Sequence, residues 1–187
     1  MQVFKFGGAS VKDADGVKNV AEVLKQFPSQ KISVVISAMG KTTNALERLA
    51  KAYFYKVESA EKVLEEIKAY HLDICHHLFP STSHSIYNEL ENTFVELYWA
   101  IEDEPTQGFD FEYDQIVSIG EVISTKIVSA YLNEIGLKNK WNDVRGLIQT
   151  DNSYREGKVD FELTETLVKR DLQSVFNLFD IIVTQGF

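Results

Sequence analysis

Two short β-prone runs limit most strongly what this chain can fold into. Val3-Phe4-Lys5-Phe6 is cut off by Gly7-Gly8, and the apolar run from Ile32 to Ile36 ends in Ser37, Ala38 and, shortly after, Gly40. Each run leads into apolar residues at helical spacing: Val17, Val20, Ala21, Leu24 and Phe27 after the first, Leu46, Leu49, Ala50 and Tyr53 after the second. Neighbouring parallel strands need a crossover long enough to hold a helix, so strand, helix, strand, helix with small turns between them predicts a parallel α/β sheet. The run from Ile32 to Ile36 is continuous rather than alternating, as expected of a strand covered on both faces. Asp13 or Asp15 can cap the first helix, and Pro28 follows its end.

From about Ser59 to Glu102 the character changes. Val63, Leu64, Ile67, Ile74 and Leu78 form one helical stripe and Ile86, Leu90, Phe94, Leu97 and Ile101 another, separated by Pro80 and Ser81-Thr82-Ser83. This spacing predicts an αα-hairpin inserted into the α/β domain and packed on its sheet. Beyond Pro105 and Gly108, one helix is signalled by Ile116, Ile119, Ile123, Ile127 and Ala130, stopping near Gly136. Strand candidates follow at Lys138–Trp141 and Leu147–Gln149, then a helix carrying Leu163, Leu167, Val168, Leu172, Val175 and Phe176, then a last strand at Ile181–Val183.

Composition narrows the function classes. With 187 residues, 44% of them hydrophobic, the chain can bury a sizeable core. A net charge of -9 works against binding nucleic acid or an anionic membrane, although a local basic site could still take ATP. No apolar run is long enough to cross a bilayer. One cysteine, Cys75, cannot form an internal disulfide, and no leader-like segment opens the chain, so a reducing cytoplasm is the expected compartment.

Three segments could carry chemistry. Lys5-Phe6-Gly7-Gly8-Ala9-Ser10 lies where a strand gives way to a helix; it is either a phosphate cradle of backbone N–H groups with Lys5 beside it, or a plain tight turn. Ser37-Ala38-Met39-Gly40-Lys41-Thr42-Thr43-Asn44 resembles a P-loop end, but Val35 stands where that loop needs glycine. It is therefore a hydroxyl-lined turn that holds a phosphate or carboxylate, or merely caps a helix. Ser118, Glu121, Ser124 and Thr125 share one helical face opposite the apolar stripe, with small neighbours that leave Glu121 accessible, either to a substrate ammonium or simply to solvent. His71, Asp73, Cys75, His76 and His77 look like metal ligands, yet Ile74 and Leu78 are needed for the core stripe and no second ligand pair exists, so they read as structural.

Taken in order, these segments resemble the aspartate kinases of the amino acid kinase family. Lys5-Phe6-Gly7-Gly8-Ala9-Ser10-Val11 is similar to the opening KFGG[TA]SV signature, and Ser37-Ala38-Met39 with Thr43-Asn44-Ala45-Leu46 to an S-A-M-x-x-x-T-[ND]-x-L segment. Ile119-Gly120-Glu121 with Ser124, Trp141-Asn142-Asp143-Val144-Arg145, and Val183-Thr184-Gln185-Gly186-Phe187 resemble later family segments. The resemblance implies a three-layer αβα sandwich around a mainly parallel sheet. It also implies phosphoryl transfer from ATP, with Mg²⁺ accompanying it as co-substrate and no tightly bound cofactor, to the side-chain carboxylate of L-aspartate.

On that resemblance Lys5 is the catalytic residue, binding and neutralising the phosphoryl group with Gly7 and Gly8. Ser10 and Ser37 lie by the phosphates, Thr43 and Glu121 hold aspartate, the latter by its ammonium, and no residue serves as a metal ligand. Ala9 stands where threonine is more usual, removing one hydroxyl. The resemblance further implies that residues 1–187 are the N-terminal part of the catalytic domain, without the nucleoside-binding half or the ACT domains. Such a part is expected to be inactive alone and to belong to a homo-oligomer when full length. A glutamate or acetylglutamate kinase, and a non-catalytic binding module of the same fold, are the alternatives.

Overall fold

The computed structural model describes residues 1–186; Phe187, which closes the last motif, lies outside them. The elements run β1 (Gln2–Phe6), α1 (Ala14–Lys25), β2 (Ile32–Ile36), α2 (Thr42–Tyr55), α3 (Ala60–Leu78), α4 (Ser85–Glu102), α5 (Phe109–Val117), α6 (Ile119–Glu134), β3 (Asn139–Trp141), α7 (Phe161–Leu178) and β4 (Ile181–Gln185). Among the described residues no helix is long and apolar enough to cross a membrane.

The four strands are all parallel, in the order β1-β2-β4-β3. Register is set by burial, because a slip of one residue would turn every apolar side chain to the opposite face. Ile32 pairs with Ile181 and Val34 with Val183, so these and Ile36 point together into the core. That core lies under α1, α2, α3, α4 and α6. The crossover β1–α1–β2 moves one way along the sheet and β3–α7–β4 moves back. With both crossovers right-handed, α1 and α7 fall on opposite faces, which makes the three layers.

The layers are unequal. Helix α7 has no fully buried residue, and Phe161 and Leu178 at its ends are largely exposed. On the same side Val3 of β1 is also exposed, whereas Ile182 of β4 is buried. Continuous burial on both faces therefore belongs to β4; β2, where the run from Ile32 to Ile36 predicted it, keeps Ser33 and Val35 half-buried.

Local signals place the helix ends. Asp13 caps α1 by accepting from the Gly16 N–H at 2.8 Å, and Ser59 caps α3 through the Lys62 N–H. The helical hairpin forms where expected, but it packs on other helices rather than on the sheet: α3 lies against α2 and α1, and α4 against α6. The single helix expected through Ile116–Ala130 is two, α5 and α6, meeting at Ser118. Leu147–Gln149 is not a strand. A 3₁₀ turn at Val144–Gly146 ties the N–H groups of Leu147 and Ile148 back to the Val144 carbonyl, leaving only a lone bridge between Thr150 and Val159.

His71 and Cys75 are core residues. The His71 Nδ1–H donates to the Ile67 carbonyl at 2.8 Å, and its Nε2 meets the Thr42 hydroxyl at 3.2 Å. Burial pushes the Cys75 thiol up to about 12 and holds His71 down at about 4. A histidine whose folded pKa is depressed contributes stability that is complete above its unfolded pKa and is lost as pH falls through the folded one. Wild type is therefore expected to lose its stability margin over His71→Gln, by on the order of 3 kcal/mol, between about pH 6.5 and pH 4. Urea unfolding of both proteins across that range measures the margin, and a pH-independent difference would contradict the assignment.

Candidate functional site

Parallel register brings Phe6, Ile36 and Gln185 level at one end of the sheet, so the segments that follow β1, β2 and β4 emerge side by side. In parallel α/β sheets this carboxyl end is where ligands bind. The first two segments are the glycine and hydroxyl turns. They touch: the Gly40 N–H donates to the Gly8 carbonyl at 2.9 Å, and the Ser37 N–H donates to the Phe6 carbonyl at 3.1 Å. A Cβ on Gly8 would lie 2.5 Å from the Ala38 carbonyl oxygen, so glycine is required for the contact, while Gly7 faces open space.

Helix α6 enters the same place by its N-terminus. A Cβ on Gly120 would come within 2.7 Å of Leu46 and 3.2 Å of Thr42, so the missing side chain lets the first turn of α6 abut that of α2. Ser124 fastens α6 to the turn after β2 by donating to the Ser37 carbonyl at 2.8 Å. Glu121, in the first turn of α6, then lies under the turns with its carboxylate accepting from the Gly186 N–H at 2.9 Å and from the Ala38 N–H.

Glu121 is 6% exposed and Ser124 and Thr125 are fully buried, which corrects the expectation of an accessible polar face. The physical reason is that α6 runs through the middle of the helical layer, in contact with β2, β3 and β4 on one side and α4 on another. Burial raises the Glu121 pKa; the Gly186 and Ala38 N–H groups and the charge of Lys5 pull the other way. Lys5 itself is exposed at the end of β1, its Cε 3.8 Å from where a Gly186 Cβ would stand.

Thr125 braces this arrangement from below. Its hydroxyl accepts from Trp141 Nε1–H at 2.9 Å and Gln185 Nε2–H at 3.2 Å, and donates to the Glu121 carbonyl at 2.7 Å. Gln185 Oε1 in turn accepts from the Val144 N–H. Beside it, burial works against ionisation of Asp143, but hydrogen bonds from Arg145 hold its carboxyl below the usual range.

Of the expected site residues, Lys5, Gly8, Ser37 and Glu121 are thus gathered at one end of the sheet. Gly7, Ser10 and Thr43 stand exposed in the same turns. No hydrogen bond from the Ser10 or Thr43 side chain is present among the described residues. The N–H groups of Ala38 and Gly186 and the side chains of Thr125 and Gln185 are the parts sequence reasoning missed. Backbone donors leave no mark on a sequence. Thr125 was one turn from Glu121 on a noted face, and that spacing is the signal that could have found it. Among the described residues no three His, Cys, Asp or Glu are arranged to hold a metal ion.

The sequence profile of the amino acid kinase family matches residues 1–187. Aspartokinase 2, chloroplastic, of Arabidopsis thaliana is 36% identical over 163 residues, covering 80% of this chain and 28% of the relative. The bifunctional aspartokinase/homoserine dehydrogenase 2 of Escherichia coli is 30% identical over 172 residues, covering 90% of this chain and 20% of the relative. The fold superposes on E. coli aspartokinase III solved with lysine and aspartate, with a TM-score of 0.88 and 27% identity over all of this chain and 41% of that one. The same enzyme with aspartate and ADP gives 0.87, again at 27% identity, over 100% of this chain and 40% of that one. The chain therefore spans between a fifth and two fifths of the proteins it matches.

The packing of the two turns separates their glycines. Gly7→Ala is expected to leave thermal unfolding nearly unchanged, whereas Gly8→Ala, forced against the Ala38 carbonyl, is expected to cost about 2–3 kcal/mol. Equal effects of the two substitutions in a melting experiment would contradict this packing.

Proposed function

Because the chain belongs to the amino acid kinase family, we propose that it is the aspartate-binding part of an aspartate kinase. In this reading the γ-phosphoryl group of ATP passes to the side-chain carboxylate of L-aspartate, giving 4-phospho-L-aspartate. The observation that carries it is the buried Glu121 carboxylate beside Lys5, under two glycine turns at the carboxyl end of a parallel sheet. That site pairs a receptor for an ammonium group with a receptor for phosphate oxygens.

The chemistry asks little more of the protein. The aspartate nucleophile is already ionised at neutral pH, so no general base is needed, and catalysis reduces to alignment and charge neutralisation. Lys5 balances the charge that develops on the transferring group, and the backbone of Gly7 and Gly8 lets phosphate oxygens approach. Ser10 and Ser37 offer hydroxyls to the phosphates. Thr43 and Glu121 hold the amino acid, Glu121 through the substrate ammonium. Mg²⁺ would arrive with the nucleotide, on the phosphate oxygens it prefers, and when bound would shield their charge.

A cytoplasmic location goes with this reading, supported by the single cysteine, buried and unpaired. So does homo-oligomerisation of a longer protein, supported by the uncovered apolar side chains of β1 and α7.

Calorimetric titration of the chain with L-aspartate, L-glutamate and MgATP in turn tests the proposal. L-aspartate is expected to bind in preference to L-glutamate. Glu121→Gln is expected to weaken that binding at least ~10-fold, the scale of a charge-assisted hydrogen bond. In the complete enzyme, Lys5→Ala is expected to slow turnover on the order of 10²-fold or more while aspartate affinity holds. Preference for glutamate would favour a different amino acid kinase. Acyl phosphate formed by this chain alone, trapped as the hydroxamate, would show that the fragment is sufficient for the reaction.

A further inference from the structure

The helical hairpin does more than fill space. Its first helix, α3, buries Val63, Leu64, Ile67, Ile74 and Leu78, and at the edge of that stripe Tyr70 and His71 reach the two turns of the site. The Tyr70 hydroxyl donates to the Lys12 carbonyl at 2.5 Å, at the end of the turn that follows β1. The same oxygen lies 2.7 Å from where a Gly40 Cβ would stand, so it packs directly on the second turn, at a glycine with φ +55°. Gly40 is also the residue whose N–H is bonded to the Gly8 carbonyl.

His71 acts two residues further on, at Thr42. Its Nδ1 faces the Ile67 carbonyl and must carry the proton, which leaves Nε2 as an acceptor for the Thr42 hydroxyl. Both groups are buried, His71 completely and Thr42 to 3% exposure. An unmatched hydroxyl there would be costly, so the bond dictates where the first turn of α2 begins. Thr42 is the first residue of α2, and Thr43, the exposed hydroxyl that follows, is carried with it.

We propose that Tyr70 and His71 are positioning residues for the site, Tyr70 aligning the phosphate-side turn and His71 the aspartate-side turn. This rests on the reading of the site as an aspartate and ATP site. The contacts that Tyr70 and His71 make here are with the turns themselves. Each fixes one receptor relative to the other, and small displacements of such groups are felt strongly in binding and transfer. The division of labour follows from the contacts: Tyr70 holds Lys12 and Gly40, and through Gly40 the Gly8 carbonyl, while His71 holds only Thr42.

The test combines amide hydrogen exchange with calorimetry on the chain and its Tyr70→Phe, His71→Leu and His71→Gln variants. Tyr70→Phe is expected to speed exchange of the Gly40 amide at least ~10-fold and, in the complete enzyme, to weaken MgATP about 5-fold, with L-aspartate affinity within about 2-fold of wild type. His71→Leu is expected to weaken L-aspartate about 10-fold, and His71→Gln, whose carbonyl oxygen can accept from Thr42, to recover most of that loss. Variants that lower both affinities together, in step with stability in urea, would overturn the proposal. Unchanged exchange at Gly40, Thr42 and Thr43 would overturn it as well. If wild type binds neither ligand, the aspartate and ATP reading fails, while the exchange arm still decides whether Tyr70 and His71 hold the two turns.

Discussion

A carboxylate at 6% exposure has lost nearly all its water, and Glu121 is kept in that state by the N–H groups of Ala38 and Gly186. The rest of the site depends on this arrangement. Burial alone favours the protonated acid, while the two backbone donors and the nearby Lys5 favour the charged form. Because the net effect raises the pKa, the ionised side chain costs stability at neutral pH, and the cost is relieved as pH falls through the raised value. A residue retained at such a cost is a candidate for function rather than for folding.

Both backbone donors exist because the sheet is parallel and in register. Ala38 follows β2 and Gly186 follows β4, and the pairing of Ile36 with Gln185 sets them beside each other. Glycines then allow three close approaches: Gly8 to the Ala38 carbonyl, Gly120 to α2, and Gly40 to Tyr70. On the proposed reading, substrate groups would be met by atoms held through secondary structure rather than by long flexible side chains, Lys5 excepted. Thr125 and Gln185 add a second tier that locks β3, β4 and α6 to one another just beneath.

The strand and helix order was legible because each element carries its own period. The glycine turns, the hairpin limits and the Asp13 cap followed from local chemistry. The Ser118 junction was hidden because the stripe Ile116, Ile119, Ile123, Ile127 passes through it without a break. Glu121 looked accessible because a helix buried on all sides can still place small polar residues along one face, and here Ser124 and Thr125 find partners inside the protein. The bonds that Tyr70 and His71 make were invisible for another reason. Their partners Lys12 and Thr42 lie 58 and 29 positions away, and no local pattern reports such a bond. A false strand at Leu147–Gln149 arose where apolar residues follow a 3₁₀ turn whose hydrogen bonds were not foreseen.

On the proposed reading, Glu121 is a buried receptor for the ammonium group of an amino acid. Carbon-13 detection of the Glu121 carboxyl group, assigned by its loss in Glu121→Gln, reads its titration directly with and without saturating L-aspartate. The expected midpoint lies above the ordinary glutamate value in the free chain and falls when L-aspartate is bound, because the ligand brings a positive charge against the carboxylate. A midpoint at the ordinary value, or one that L-aspartate does not move, would contradict the account.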